Sequence, residues 1–234
     1  MTETLPQDDE SRFAVIREQL FTAVVGDVLD RLGRRHQFLP AGIRPLQPQM
    51  RLVGRAMTVL EADVVEGAPG STPSRGPLAG QPFGLMLEAL DDLKPGEIYV
   101  AAGGSLRYAM WGGLMSTRAR YLAAAGALVD GYVRDAGEIE RMGFPVFCRG
   151  LYAQDQGPRG QVIDYRCPIE IGGVSIAPGD LLFGDREGVL AIPRDCENEA
   201  IAGALEKVTT EDKVAVAIRD GMSACEALRT FGVM

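Results

Sequence analysis

Between Glu97 and Cys148 the chain alternates in a way that few folds accommodate. Residues 97–102 form an apolar run of strand length, and a glycine-rich connection, 103–113, follows it. Residues 114–125 have helix length with many small side chains. The run GALVDGYV at 126–133 reads as a buried strand, 138–142 as a short helix and 145–148 as a further strand. Strands separated by a helical crossover pair in parallel, so this stretch predicts a βαβ unit.

The flanks extend the pattern. Residues 11–33 predict two helices, with Ser11 and Thr22 as caps and Gly33 closing the second. Residues 52–60 predict a strand, and 83–93 a short helix ended by Lys94-Pro95-Gly96. Residues 66–81 (EGAPGSTPSRGPLAGQ) predict a flexible insertion. Beyond Gly150, short apolar runs at 162–163, 167–171, 174–176, 181–184 and 189–192 are separated by turn residues and read as strands. Helices are expected over 205–219 and 222–231. No linker divides the chain. The expectation is one α/β domain over 1–234 with mixed sheets, helices outside and a frayed tail over 1–10.

Composition narrows the chemistry. A net charge of −8 disfavours nucleic acid as a partner, because phosphate binding needs a basic face. No run of 18 apolar residues exists, so no membrane span is expected. Cys148, Cys167, Cys196 and Cys225 form no CxxC pair, which disfavours a zinc site; the polar N-terminus lacks a secretory pattern, so they read as reduced thiols in a cytoplasmic protein. His36 is the only histidine, which removes two-histidine metal sites and most catalytic triads. A metal site here would use oxygen ligands, pointing to magnesium, manganese or calcium.

In βαβ units ligands bind beyond the carboxyl ends of the strands. There lie Gly103-Gly104 after the first strand and Arg134-Asp135 after the second. Gly112-Gly113 stand at the start of the next helix, where backbone N–H groups attract anions. Arg134 suits a carboxylate, Asp135 a hard cation, and together the parts suit a small α-keto acid. A plainer reading has equal standing on geometry: Asp135-x-x-Glu138 also matches a helix-capping pattern. Arg107 is a surface residue or a second cation near the site. Trp111 is expected against the loop or a neighbouring subunit. Asp130, inside a predicted strand, requires a partner if buried.

Across nearly its whole length the sequence resembles the RraA-like family of metal-dependent aldolases and ribonuclease E regulators. The resemblance rests on TAVVGDVLDRLG (22–33), LPAGIRPL (39–46), LVGRAMTV (52–59), VDGYVRD (129–135), GFPVFCRG (143–150) and DREGVLAIP (185–193). It also rests on the spacing of Gly113, Arg134-Asp135 and Glu138. The resemblance implies a layered α/β/β/α sandwich, a homotrimer or hexamer, and active sites at subunit interfaces. It implies Mg²⁺ or Mn²⁺ held through Asp135, and substrate held by Arg134 and by Gly112, Gly113, Leu114 and Met115. An acid from a neighbouring subunit is expected near the metal, with Glu211 as the candidate. Many of the aldolases carry an acid where this chain has Gly113.

The expected activity is cleavage of a C–C bond in an α-keto acid through a pyruvate enolate, as in an aldolase or an oxaloacetate decarboxylase. The rival reading is a non-catalytic regulator that docks on another protein. A methyltransferase is disfavoured by the lack of a glycine-rich cofactor motif followed by an acidic ribose-binding residue.

Overall fold

A computed structural model describes residues 5–65 and 76–233. Helices α1 (Asp9–Gln19) and α2 (Thr22–Arg31) precede β1 (Arg44–Pro45) and the long β2 (Leu52–Asp63). Then come α3 (Met86–Asp91), β3 (Glu97–Ala102), β4 (Ala109–Trp111), α4 (Gly113–Tyr121), β5 (Gly126–Val129), β6 (Tyr132–Val133), α5 (Ala136–Met142), β7 (Val146–Cys148) and β8 (Gly150–Leu151). The last part holds β9 (Gly160–Tyr165), β10 (Ile169–Ile171), β11 (Val174–Ile176), β12 (Leu181–Asp185), β13 (Gly188–Ile192), α6 (Glu197–Arg219) and α7 (Ala224–Phe231).

The main sheet runs β1-β7-β5-β3-β2-β12-β13, with β9 also paired to β2. Strands β7, β5, β3 and β2 are parallel neighbours, as the βαβ pattern requires. The flanking pairs are antiparallel. The sheet curls until its ends nearly meet: Phe38 bridges Leu190, and the Leu39 N–H donates to Val189 O. Because side chains alternate along a strand, Leu52 and Ala56 of β2 join Ile98, Val100, Leu128, Phe147 and Leu182 inside the curl. The β10–β11 hairpin closes that core with Ile169, Ile171, Val174 and Ile176. Val53, Leu181, Phe183 and Leu190 point outward and are covered by Phe13, Ile16, Val24, Val28 and Ile201 of α1, α2 and α6. On the other half, Met57, Tyr99, Ala127 and Val129 are covered by Met86, Leu90, Ala119 and Ile139 of α3, α4 and α5. The result is helix, half-sheet, half-sheet, helix. Each fully buried aliphatic side chain contributes roughly 1.5–3 kcal/mol.

Several local expectations change. The tail expected over 1–10 does not extend to residue 10, because α1 begins at Asp9; residues 1–4 lie outside the described residues. Asp8, not Ser11, caps that helix, its carboxylate accepting the Ser11 N–H at 2.8 Å. Thr22 opens α2 but does not cap it; its N–H and hydroxyl both donate to buried Asp185. Of the insertion expected over 66–81, residues 66–75 lie outside the described residues and 76–81 form turns. Helix α6 starts at Glu197, well before residue 205, because its early buried face is built from Ala200, Ile201 and Ala204 around a buried glutamate. The single strand expected over 126–133 is two strands in two sheets, β5 and β6. Trp111 is core: it is 1% exposed, donates from Nε1 to Ser116 Oγ at 2.7 Å and packs on Tyr99 and Phe144.

Candidate active site

Beyond the carboxyl ends of β3, β5 and β7 the chain resumes as β4, β6 and β8, which form a second parallel sheet. At the break between β5 and β6, Asp130 is paired with Arg149, Nε to Oδ1 2.6 Å, which supplies the partner its charge requires. The second sheet carries the chain outward to Arg134 and Asp135. The Arg134 N–H donates to Trp111 O at 3.0 Å, so the backbone here is tied to β4.

Asp135 holds the N-cap position of α5 with φ 57° and ψ 30°, in the left-handed region that Asp and Asn tolerate better than most residues. Its side chain makes no capping bond to α5. Instead Oδ2 accepts the N–H of Gly113, the first residue of α4, at 3.0 Å. The carboxylate is therefore used between helices, where the capping reading placed it on its own helix.

The glycine pair makes a cradle. A Cβ on Gly112 would lie 3.0 Å from Asp135 Oδ2 and 3.3 Å from Arg134 Cγ. A Cβ on Gly113 would lie 2.6 Å from Glu138 Oε2 and 3.2 Å from Asp135 Cβ. The Glu138 carboxylate thus occupies space that a side chain at 113 would need. Arg134, Asp135 and Glu138 converge on Gly112-Gly113, while Leu114 beside them is 83% exposed.

Asp155 is an addition that the sequence did not signal. Its Oδ1 lies 2.8 Å from Arg134 Nη1, while Arg134 Nε is 3.8 Å from Asp135 Oδ2. It sits in a polar stretch, Gln154-Asp155-Gln156-Gly157, with no spacing that ties it to Arg134. Asp135 and Asp155 flank the guanidinium and Glu138 stands beside Gly113, so the cradle carries a formal charge of −2, which repels an anionic ligand. A hard divalent cation would offset it. Asp135 and Glu138 are oxygen donors bordering one space, and they suit an ion such as Mg²⁺ that keeps most of its water. Among the described residues no group of three His, Cys, Asp or Glu is placed to hold a metal, and Asp135 and Glu138 are two.

The other expected residues lie elsewhere. Arg107 pairs with Asp63, Nη2 to Oδ2 2.8 Å, and Nε donates to Ser105. Glu211 lies on α6, in the opposite helical layer, 2.9 Å from Lys207 Nζ. Within one chain neither is joined to Arg134 or Asp135. A buried acid, which no sequence pattern marks, lies on β2. Glu61 is 2% exposed, and burial pushes its carboxyl up to about 8 against the pull of Tyr108. Its Oε2 lies 3.5 Å from the Tyr108 hydroxyl and 3.4 Å from Gln156 Nε2, while Oε1 has no hydrogen-bond partner among the described residues.

The pattern that defines the RraA-like family, described as aldolase/RraA, matches residues 22–191. A protein of Halalkalibacterium halodurans, provisionally named 4-hydroxy-4-methyl-2-oxoglutarate aldolase, is 32% identical over 88% of this chain and 88% of its own length. Protein DlpA of Legionella pneumophila is 30% identical over 90% of this chain; the chain spans 32% of that protein's length. The crystal structure of an uncharacterized protein from Pseudomonas syringae pv. tomato superposes with a TM-score of 0.80 at 27% identity, covering 98% of this chain and 97% of that one.

Proposed function

The chain belongs to the RraA-like family of aldolases and RraA proteins, and from that premise we propose that it is a divalent-metal-dependent lyase. The reaction is cleavage of a C–C bond in a small α-keto acid to release pyruvate, as a 4-hydroxy-4-methyl-2-oxoglutarate-type aldolase, an oxaloacetate decarboxylase, or both. One observation carries the reading. The Asp135 carboxylate forgoes its own helix and turns onto the Gly112-Gly113 cradle, where Glu138 and Arg134 also arrive.

Asp135 and Glu138 would hold Mg²⁺ or Mn²⁺, which supplies a Lewis acid to the keto group. Arg134 binds the substrate carboxylate through its guanidinium fork. The N-terminus of α4 at Gly113 adds the favourable end of a helix dipole for that anion. Leu114 and Met115 border the substrate beside it. With a single histidine, remote in the sequence, proton transfer falls to water ordered by Asp135 and Glu138.

Exposed Leu114 and Tyr121 lie seven residues apart on one face of α4, with Leu114 beside the cradle. This favours burial against further copies of the chain, in a homotrimer or hexamer, with Glu211 of a neighbouring copy as the candidate third acid. The same exposed face favours the second reading, a regulator that docks on another protein. Pyruvate release from oxaloacetate and from 4-hydroxy-4-methyl-2-oxoglutarate, with Mg²⁺ and then with EDTA, separates the two. Turnover that EDTA abolishes supports the lyase. Turnover unaffected by EDTA, or none on either substrate, rejects it.

A further inference from the structure

We infer that Asp155 is a positioning residue for Arg134, setting the direction in which the guanidinium fork meets a substrate carboxylate; this rests on the keto-acid reading above. Arg134 follows the two-residue strand β6, and its side chain is 39% exposed. A long side chain so placed loses considerable rotamer entropy when it binds a ligand, unless a partner already holds it. Asp155 is that partner, at 2.8 Å from Nη1. A guanidinium carries its five N–H donors in a rigid fork, so an ion pair at Nη1 narrows the directions in which the rest can face.

The loop that carries Asp155 is itself pinned on both sides. Before it, the Tyr152 N–H donates to Val133 O at 3.0 Å, and Gln154 O accepts the Ala109 N–H at 2.8 Å. After it, Gln156 is 3% exposed, with Nε2 facing buried Glu61, and its carbonyl accepts the N–H groups of Arg159 and Gly160. Gly160 adjoins the Tyr108 hydroxyl so closely that a Cβ there would lie 2.1 Å from it. The first two anchors lead back to β6 and β4, the sheet that also delivers Arg134, and Gln156 ties the loop to Glu61 of β2. Asp155 is therefore held in register with the residue it orients, which a stray surface ion pair is not.

The carboxylate could instead compete with substrate for Arg134, and the two roles have opposite signs. In the full-length protein, oxalate binding with Mg²⁺ is measured by calorimetry for the wild type, Asp155→Ala and Asp155→Asn. Arg134 modification by phenylglyoxal is followed in parallel by mass spectrometry. Positioning predicts that Asp155→Ala weakens oxalate about tenfold and speeds Arg134 modification several-fold. Asp155→Asn keeps the size of the side chain but not its charge, and because the contact with Nη1 is an ion pair it should shift both readouts in the same direction as Asp155→Ala. Unchanged or tighter oxalate binding in Asp155→Ala overturns the inference. If the wild type binds no oxalate, the keto-acid reading fails. The modification rates then decide the positioning alone: faster in Asp155→Ala upholds it, equal rates reject it.

Discussion

Asp135 stands at the N-cap of α5, yet its carboxylate accepts the backbone N–H of Gly113 at the start of α4, 3.0 Å away. One side chain thereby joins the helices on either side of β5 and β6 and leaves the first turn of α5 without a side-chain cap. Residues held in the left-handed region with an unusual hydrogen bond tend to cluster at functional sites.

Replacing Asp135 by Asn separates stability from activity. Asn tolerates the left-handed backbone as well as Asp does, so unfolding free energy should change by no more than about 0.5 kcal/mol. Metal-dependent pyruvate release should fall roughly 100-fold or more. Urea denaturation alongside steady-state kinetics tests both parts.

Gly113→Ala should act through Glu138. The new Cβ meets Glu138 Oε2, the mobile end of a side chain that can swing away, so the fold survives. Gly113 has no positive φ, so the backbone accepts Ala, but the new Cβ also stands 3.2 Å from Asp135 Cβ, and stability should change by no more than about 1 kcal/mol. Metal affinity should fall about tenfold, because Glu138 leaves the cradle. A metal titration beside thermal unfolding separates the large loss of affinity from the small change in stability.

The large-scale order was legible because it rests on strong periodic signals: the strands of the βαβ unit are continuous apolar runs, and the parallel pairing follows from their spacing. The break at Asp130-Gly131 was not. GALVDGYV is uniformly strand-like, and only the Asp130–Arg149 pair in three dimensions shows where the chain leaves one sheet for another. Arg134, Asp135 and Glu138 were legible as a group from spacing and resemblance, but spacing left capping and ligand binding equal; the direction of one carboxylate distinguishes them. Asp155 and Glu61 belong to loops and strand ends far from that motif, and their roles depend on contacts that no local pattern encodes. Helix α6 was read short because alanines carry little hydrophobic periodicity, and its buried Glu197 looks like a solvated residue until Arg12 and Arg55 are placed beside it.

Glu61 gives stability a distinctive pH dependence. Its folded carboxyl titrates at about 8, above its ordinary value of 4.5. Between those values the unfolded chain releases a proton that the folded chain retains. The contribution is therefore fully present below about pH 4.5 and lost as pH rises towards 8, by up to about 1.4 kcal/mol per pH unit. Glu61→Gln removes the titrating group, so its unfolding free energy should be flatter than wild type from pH 5 to 8 and higher at pH 8. Parallel slopes in the two proteins would contradict this.

Glu197 fastens α1 and β2 to α6. It is 5% exposed at the side chain and pairs with Arg12 and Arg55, both at 2.5 Å. Glu197→Ala leaves two guanidinium groups in a largely buried setting with one carboxylate fewer. Breaking a buried pair in this way costs about 3–5 kcal/mol. Guanidinium chloride unfolding should show it as a lower midpoint with catalytic constants unchanged at low temperature.

The central claim is that Asp135 and Glu138 form a divalent-metal site at the Gly112-Gly113 cradle. Mn²⁺ binding followed by electron paramagnetic resonance, with oxalate present, tests it without reference to turnover. The account predicts one bound Mn²⁺ per chain in the wild type, weaker binding in Glu138→Gln and none in Asp135→Asn at the same concentrations. Equal Mn²⁺ binding by all three proteins would contradict it.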